Sequence, residues 1–198
     1  MYSTKTAITN NNEFNDSYMP VGINDNVTLK EVNVNKSPQG KDYLEFVFQN
    51  EEGKTASFTE WKNEKNTWIK TDEDLQNRDN KQFGRILQIV KCFKNDPEFE
   101  GSSFVEMINW VKTTLTTIGE WDKTLLRLKV IYDKKGYTTV SKNGIYVEPM
   151  STEESQIKLW KNDLLERPIV ADNESSTDPL TQQSTPVTEK NGADDLPF

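Results

Sequence analysis

At 198 residues the chain suits one mid-sized domain with appendages and is too short for two generous ones. Its formal net charge is −8, only 33% of its residues are hydrophobic and its mean hydropathy is −0.80, so part of it should stand outside any packed core. There is no His, which removes Ser-His and Cys-His nucleophile pairs and an imidazole base, and the lone Cys92 allows neither an internal disulfide nor a structural zinc site.

Residues 1–18, with Asn10, Asn11 and Asn12, read as a flexible polar arm. Residues 27–34 are β-branched and end in the turn cluster Ser37-Pro38-Gln39-Gly40, which predicts a first strand. Residues 43–48 alternate, with Leu44, Phe46 and Phe48 on one face and Tyr43, Glu45 and Val47 on the other. Asn50-Glu51-Glu52-Gly53 turns the chain into residues 55–61. There Ala56 and Phe58 face one way; Thr55, Ser57, Thr59 and Trp61 face the other.

The period then lengthens. Phe83, Ile86, Leu87, Val90 and Phe93 follow helical spacing. After Asn95-Asp96-Pro97, a second stripe runs through Phe104, Ile108, Val111, Leu115 and Ile118, with Ser103 and Glu106 at capping-box spacing. Cys92 falls within the apolar pattern, as a buried small hydrophobe rather than a reactive thiol.

Alternation resumes over residues 125–132, with Leu126, Leu128, Val130 and Tyr132 opposed to Arg127, Lys129 and Ile131. Lys134-Lys135-Gly136 reads as a turn, 137–140 as a strand, Asn143-Gly144 as a hairpin turn and 145–147 as a last strand. Ser151 and Glu154 predict the cap of a helix over 151–167 that carries Ile157, Trp160 and Leu164 and stops before Pro168. Residues 168–198 set Lys190 against Asp172, Glu174, Asp178, Glu189, Asp194 and Asp195, and hold no aromatic before Phe198. Such a stretch buries too little to offset its ordering entropy and should be a disordered acidic tail.

Three strands, a helical segment, then two or three strands is the order of an OB-fold, a five-stranded Greek-key barrel with its helix between strands 3 and 4. The expected fold is therefore mainly β with helices, an OB-fold over 19–150 enlarged by the helical segment at 80–119. A generic α+β sandwich with the same element string is the rival.

The tip Asp194-Asp195-Leu196-Pro197-Phe198 combines carboxylates, a stiff apolar pair and a terminal Phe, a compact ligand for a pocket rimmed by Lys or Arg. It resembles the acidic tip of bacterial single-stranded DNA-binding proteins, which ends in Asp residues followed by Ile or Leu, Pro and Phe. Barrel, Pro- and Gln-containing linker and tip also follow that family's order. Ala193, where a further acid is usual, and the long helical segment point to a divergent branch such as the tailed-phage members. The resemblance implies single-strand binding by the barrel in replication, recombination and repair. It also implies recruitment of replication and repair proteins by Asp194, Asp195, Leu196, Pro197 and Phe198, with homo-oligomerisation left open.

The body offers its own candidates. Single strands need cations along a groove and aromatic faces for the bases. The outer face presents Tyr43 and Trp61, followed by Lys62, Lys65, Trp68 and Lys70, and on later strands Arg127, Lys129, Lys134, Lys135 and Tyr137. Residues 121–147 carry an excess of basic over acidic side chains inside an acidic protein. Trp110 and Trp160 fall on predicted helix faces and Phe46, Phe48, Phe58 and Tyr132 on apolar strand faces, where packing is the expected role.

Two alternatives stay open: a protein–protein adaptor with the same tip, and a metal-dependent nuclease using Asp42, Glu60 and Lys62. Glu52-Gly53-Lys54 matches the same Glu-x-Lys pattern, which shows how common it is in a charged chain. No cofactor, metal or catalysis is expected. With no apolar run near the ~20 residues of a membrane helix and no signal-peptide pattern, the expected place is the cytoplasm, that of a bacterial host for a phage protein.

Overall fold

The computed structural model describes residues 17–168. The first strand, β1 (Gly22–Lys36), is long because it serves two neighbours. Its C-terminal half pairs antiparallel with β2 (Asp42–Gln49), from Thr28↔Gln49 to Lys36↔Asp42, and its N-terminal half with β4 (Leu126–Tyr132). The register shifts between Asn24 and Val27 and again between Leu29 and Glu31. Asn26 has a φ of 54°, a left-handed conformation that Asn tolerates, and these irregularities bend β1 from one partner to the other.

The alternation in β2 and β3 (Thr55–Trp61) falls as the sequence predicts. Leu44, Phe46, Phe48, Ala56 and Phe58 are buried, and β4 adds Leu126, Leu128 and Val130. The sheet order is β3-β2-β1-β4-β5, with β5 at Thr138–Val140 and β6 (Val147–Pro149) also on β4. Thr139 Oγ1 donates to the Ser57 carbonyl at 3.4 Å and Lys142 Nζ to that of Thr59, so β5 draws up to β3 and the sheet nearly closes. The result is a mainly β protein with a nearly closed five-strand antiparallel barrel and two helices, consistent with an OB-like fold.

Asn143-Gly144 does not make the expected hairpin. Both β5 and β6 pair with β4: Ser141 N–H donates to Lys129 O, and Lys129 N–H to Tyr146 O. Residues 142–145 are an excursion from one interrupted strand, and Gly144 (φ 63°) serves it.

Between β3 and β4 come α1 (Asp72–Lys91) and α2 (Phe104–Ile118). The first starts well before residue 80, because Thr71 and Asp74 form a capping box and a polar first half extends the apolar stripe. The Ser103–Glu106 box opens α2, and Gly119, at φ 68°, ends it. Ile86, Ile89 and Val90 of α1 and Ile108, Val111 and Leu115 of α2 complete the core. Trp110 packs with Phe83 and Phe99, whose rings lie 6.1 and 5.0 Å away. Among the described residues no helix is long and apolar enough to cross a membrane.

The helix expected over 151–167 is absent; the segment is an irregular strap across the barrel. Backbone groups that a helix would pair internally are taken by the barrel and by local side chains. Glu148 accepts from Gln156 N–H (2.9 Å), Lys129 donates to Lys158 O (3.0 Å), Asp163 accepts from Trp160 N–H (2.8 Å) and Tyr132 N–H donates to Leu164 O (2.8 Å). Trp160, expected in a core, is half exposed against Gly144. At the other end Thr55 N–H donates to Ser17 O and Met19 N–H to Thr55 O, so Ser17 and Tyr18 lie against β3 as well as Met19.

Candidate nucleic-acid interface

Trp61 ends β3 on its outward face, opposite Tyr43 of β2. The two rings lie 4.5 Å apart at 35°, and Trp61 keeps 42% of its surface exposed. The platform is fixed from behind. Gln82 donates to Trp61 O (2.8 Å), and Lys62 N–H to Asp42 O (3.1 Å). Glu60, one residue earlier and pointing inward, is buried and accepts from Arg85 Nε (2.6 Å) and Nη2 (3.1 Å) and from Gln82 (3.0 Å), with Lys142 at 3.4 Å. Burial pushes the Glu60 carboxyl up, but Arg85, Lys142 and Gln82 outweigh it and hold it below the usual carboxylate range.

Beyond Trp61 the chain enters the connection to α1. Lys62 is exposed and has no ion-pair partner among the described residues, whereas Lys65 is paired with Asp72 at 2.7 Å. Asn66 Oδ1 accepts from the N–H groups of Trp68 (2.8 Å) and Ile69 (3.1 Å), and Ile69 plugs into the body. This small knot leaves Trp68 84% exposed.

Lys134, Lys135 and Tyr137 occupy the β4–β5 turn, all exposed. The Thr139–Ser57 and Lys142–Thr59 bonds run β5 beside β3 in the same direction. Trp61 and Tyr137 therefore mark opposite ends of the β3 edge, separated by roughly 20 Å at strand rise. Between them the outer face carries Thr59, Ser57 and Thr55 of β3.

Two expected contacts are corrected. Lys129 does lie on the outer face of β4, but the strap covers it. Its side chain is fully buried, with Nζ donating to Asp163 Oδ2 (3.0 Å), Asn143 O (2.9 Å) and Lys158 O (3.0 Å). Burial raises the Asp163 carboxyl less than Trp160 N–H, Lys129 and Asn143 lower it. Arg127 is held between Asp25 (2.9 Å) and Glu148 (2.6 Å). Neither presents a free cation to a phosphate, so the other eight, Tyr43, Trp61, Lys62, Lys65 (paired with Asp72) and Trp68 at one end of β3 and Lys134, Lys135 and Tyr137 at the other, are what the fold brings to this face.

Asp42 is paired with Lys36 at 3.0 Å while Glu60 is engaged inside by Arg85, so each of those carboxylates answers to its own cation. Among the described residues no group of three His, Cys, Asp or Glu side chains is placed to hold a metal ion. Burial pushes the half-buried Cys92 thiol up to about 12, in keeping with an inert side chain. The tip, Asp194 to Phe198, lies outside the described residues.

The Glu60–Arg85 pair and Arg167 were missed from sequence. Glu60 had a signal, since it shares the even register of Ala56 and Phe58. Arg167 had none, because its neighbour in space is Gly136. Comparison with models of protein families and with curated proteins returns no match.

Proposed function

We propose that the protein binds single-stranded nucleic acid, DNA first, without catalysis, on an OB-fold barrel whose helix position is filled by α1 and α2. It would coat strands in replication or recombination and recruit replication or repair proteins through Asp194, Asp195, Leu196, Pro197 and Phe198. The observation that carries the reading is the Tyr43–Trp61 platform, an aromatic pair on the outer sheet face beside Lys62, with Trp61 exposed and Tyr43 half-buried. Bases stack on such a pair whatever their identity, and phosphates are neutralised by cations at either end.

The test is a fluorescence titration with oligo(dT) and with duplex of equal length at two salt concentrations. Quenching by the single strand, weak binding to duplex and a steep loss of affinity with salt are expected. No fluorescence change together with no gel shift overturns the reading. That outcome favours the adaptor alternative, for which the 84% exposure of Trp68 is the specific support.

A further inference from the structure

Arg167 closes the strap onto the β4–β5 turn. Its Nε donates to Gly136 O at 3.1 Å, three residues after Leu164 O has bonded Tyr132 N–H. Gly136 has a φ of 81°, and a Cβ there would stand 3.2 Å from Arg167 Nε and 3.3 Å from Cγ. The arginine thus lies over a residue that leaves it room. Its terminal guanidinium nitrogens have no hydrogen bond or ion pair among the described residues.

The same turn carries Lys134 and Lys135, exposed and likewise without an ion-pair partner among the described residues. Asp133, the acid of the turn, uses Oδ1 to accept from the N–H groups of Lys135 (2.8 Å) and Tyr137 (2.9 Å) instead. Glu166 is exposed and pairs with none of the three cations. Three cations thus belong to this turn and to the residue laid over it, and the turn also carries the 65% exposed ring of Tyr137.

We infer that this cluster binds a backbone phosphate of the single strand, with Arg167 as the bidentate donor, so that the interface runs from the barrel onto the strap. The inference rests on the single-strand reading proposed above. An anchored Nε with both terminal nitrogens presented suits a planar grip on an oxyanion. A neighbouring ring that can stack a base suits a nucleotide phosphate better than the carboxylate of an acidic peptide.

Titration of the full chain with oligo(dT) over a salt series separates the possibilities. Arg167→Gln keeps a donor for Gly136 O and loses the charge; Arg167→Lys keeps the charge. Loss of one phosphate contact should shrink the slope of log affinity against log salt by about 0.7 and weaken binding about fivefold at 0.1 M salt. The Lys variant should recover most of both, and the melting temperature of each should match the wild type. An unchanged slope in Arg167→Gln, while Trp61→Ala weakens binding, overturns the inference and spares the function. A lowered melting temperature with an unchanged slope makes Arg167 a structural clamp only. Failure of the wild-type chain to bind oligo(dT) overturns both readings.

Discussion

Lys129 Nζ stands 3.0 Å from Asp163 Oδ2 with both side chains fully buried, joining β4 to a point on the strap 34 residues further along the sequence. Each polar atom is provided for. Three acceptors meet the three ammonium donors, and Asp163 also accepts from Trp160 N–H, Asn143 Nδ2 and Ser141 Oγ. Removing one partner strands the other charge. Lys129→Met should therefore destabilise the fold by about 3–5 kcal/mol, read as a lower urea midpoint, while the salt slope of oligo(dT) binding by the folded fraction stays as it was. A reduced slope with unchanged stability would return Lys129 to the interface and contradict its burial.

The acid limb of stability follows from the same geometry. Burial raises the carboxyls of Asp163, Glu60 and Glu148, but hydrogen bonds and cations more than compensate, so all three titrate below their ordinary values of 3.8 for Asp and 4.5 for Glu. Folded-state values below the unfolded ones mean that the stabilisation is fully present above the unfolded values. It is lost as pH falls through the folded ones. The urea midpoint should hold from pH 7 down to about pH 5 and fall below it. Asp163→Asn, less stable throughout, should fall less steeply in acid. A midpoint that drops between pH 7 and 5 would assign the acid sensitivity to other groups.

Local pattern and remote partner divide what was readable in advance. The alternation of Leu44, Phe46 and Phe48 against Tyr43 needs only neighbours in sequence, and the buried and outer faces of β2 and β3 fell as read. The Ser103–Glu106 cap is a four-residue signal and also held. Lys129 shows the limit: its side of β4 was right, but whether that side meets water depends on residues 158–163. The strap itself failed for the same reason, because Ser151 and Glu154 look like a cap until Glu148 and Lys129 are seen to take the backbone a helix would use. At the candidate interface, Trp61 and Tyr43 were legible as a cross-strand pair, and the Arg167–Gly136 contact was not.

Trp61 gives the sharpest check on that pair. Its ring is partly exposed and its main chain is held by Gln82, so truncation should leave β3 in place. Trp61→Ala should weaken oligo(dT) binding by about 1–3 kcal/mol, with most of the fluorescence quenching lost and the melting temperature little changed. If the melting temperature falls and affinity stays, the ring serves packing against Tyr43 alone.

The last expectation concerns the acidic end. The described body stops at Pro168, next to the Arg167 cluster, and the sequence beyond it sets Lys190 against Asp172, Glu174, Asp178, Glu189, Asp194 and Asp195. Carboxylates on the same chain act at high effective concentration and compete with a strand's phosphates for the protein's cations. Deleting Asp194 to Phe198 should leave the melting temperature unchanged and tighten oligo(dT) binding modestly, most at low salt where screening is weak. It should also end the capture of a partner, because Phe198 offers an aromatic ring close to the carboxylates of Asp194 and Asp195. If pull-downs recover the same proteins with and without these five residues, the tip recruits nothing and the proposed partnership falls. Single-strand binding by the barrel would then be decided by the oligo(dT) titration.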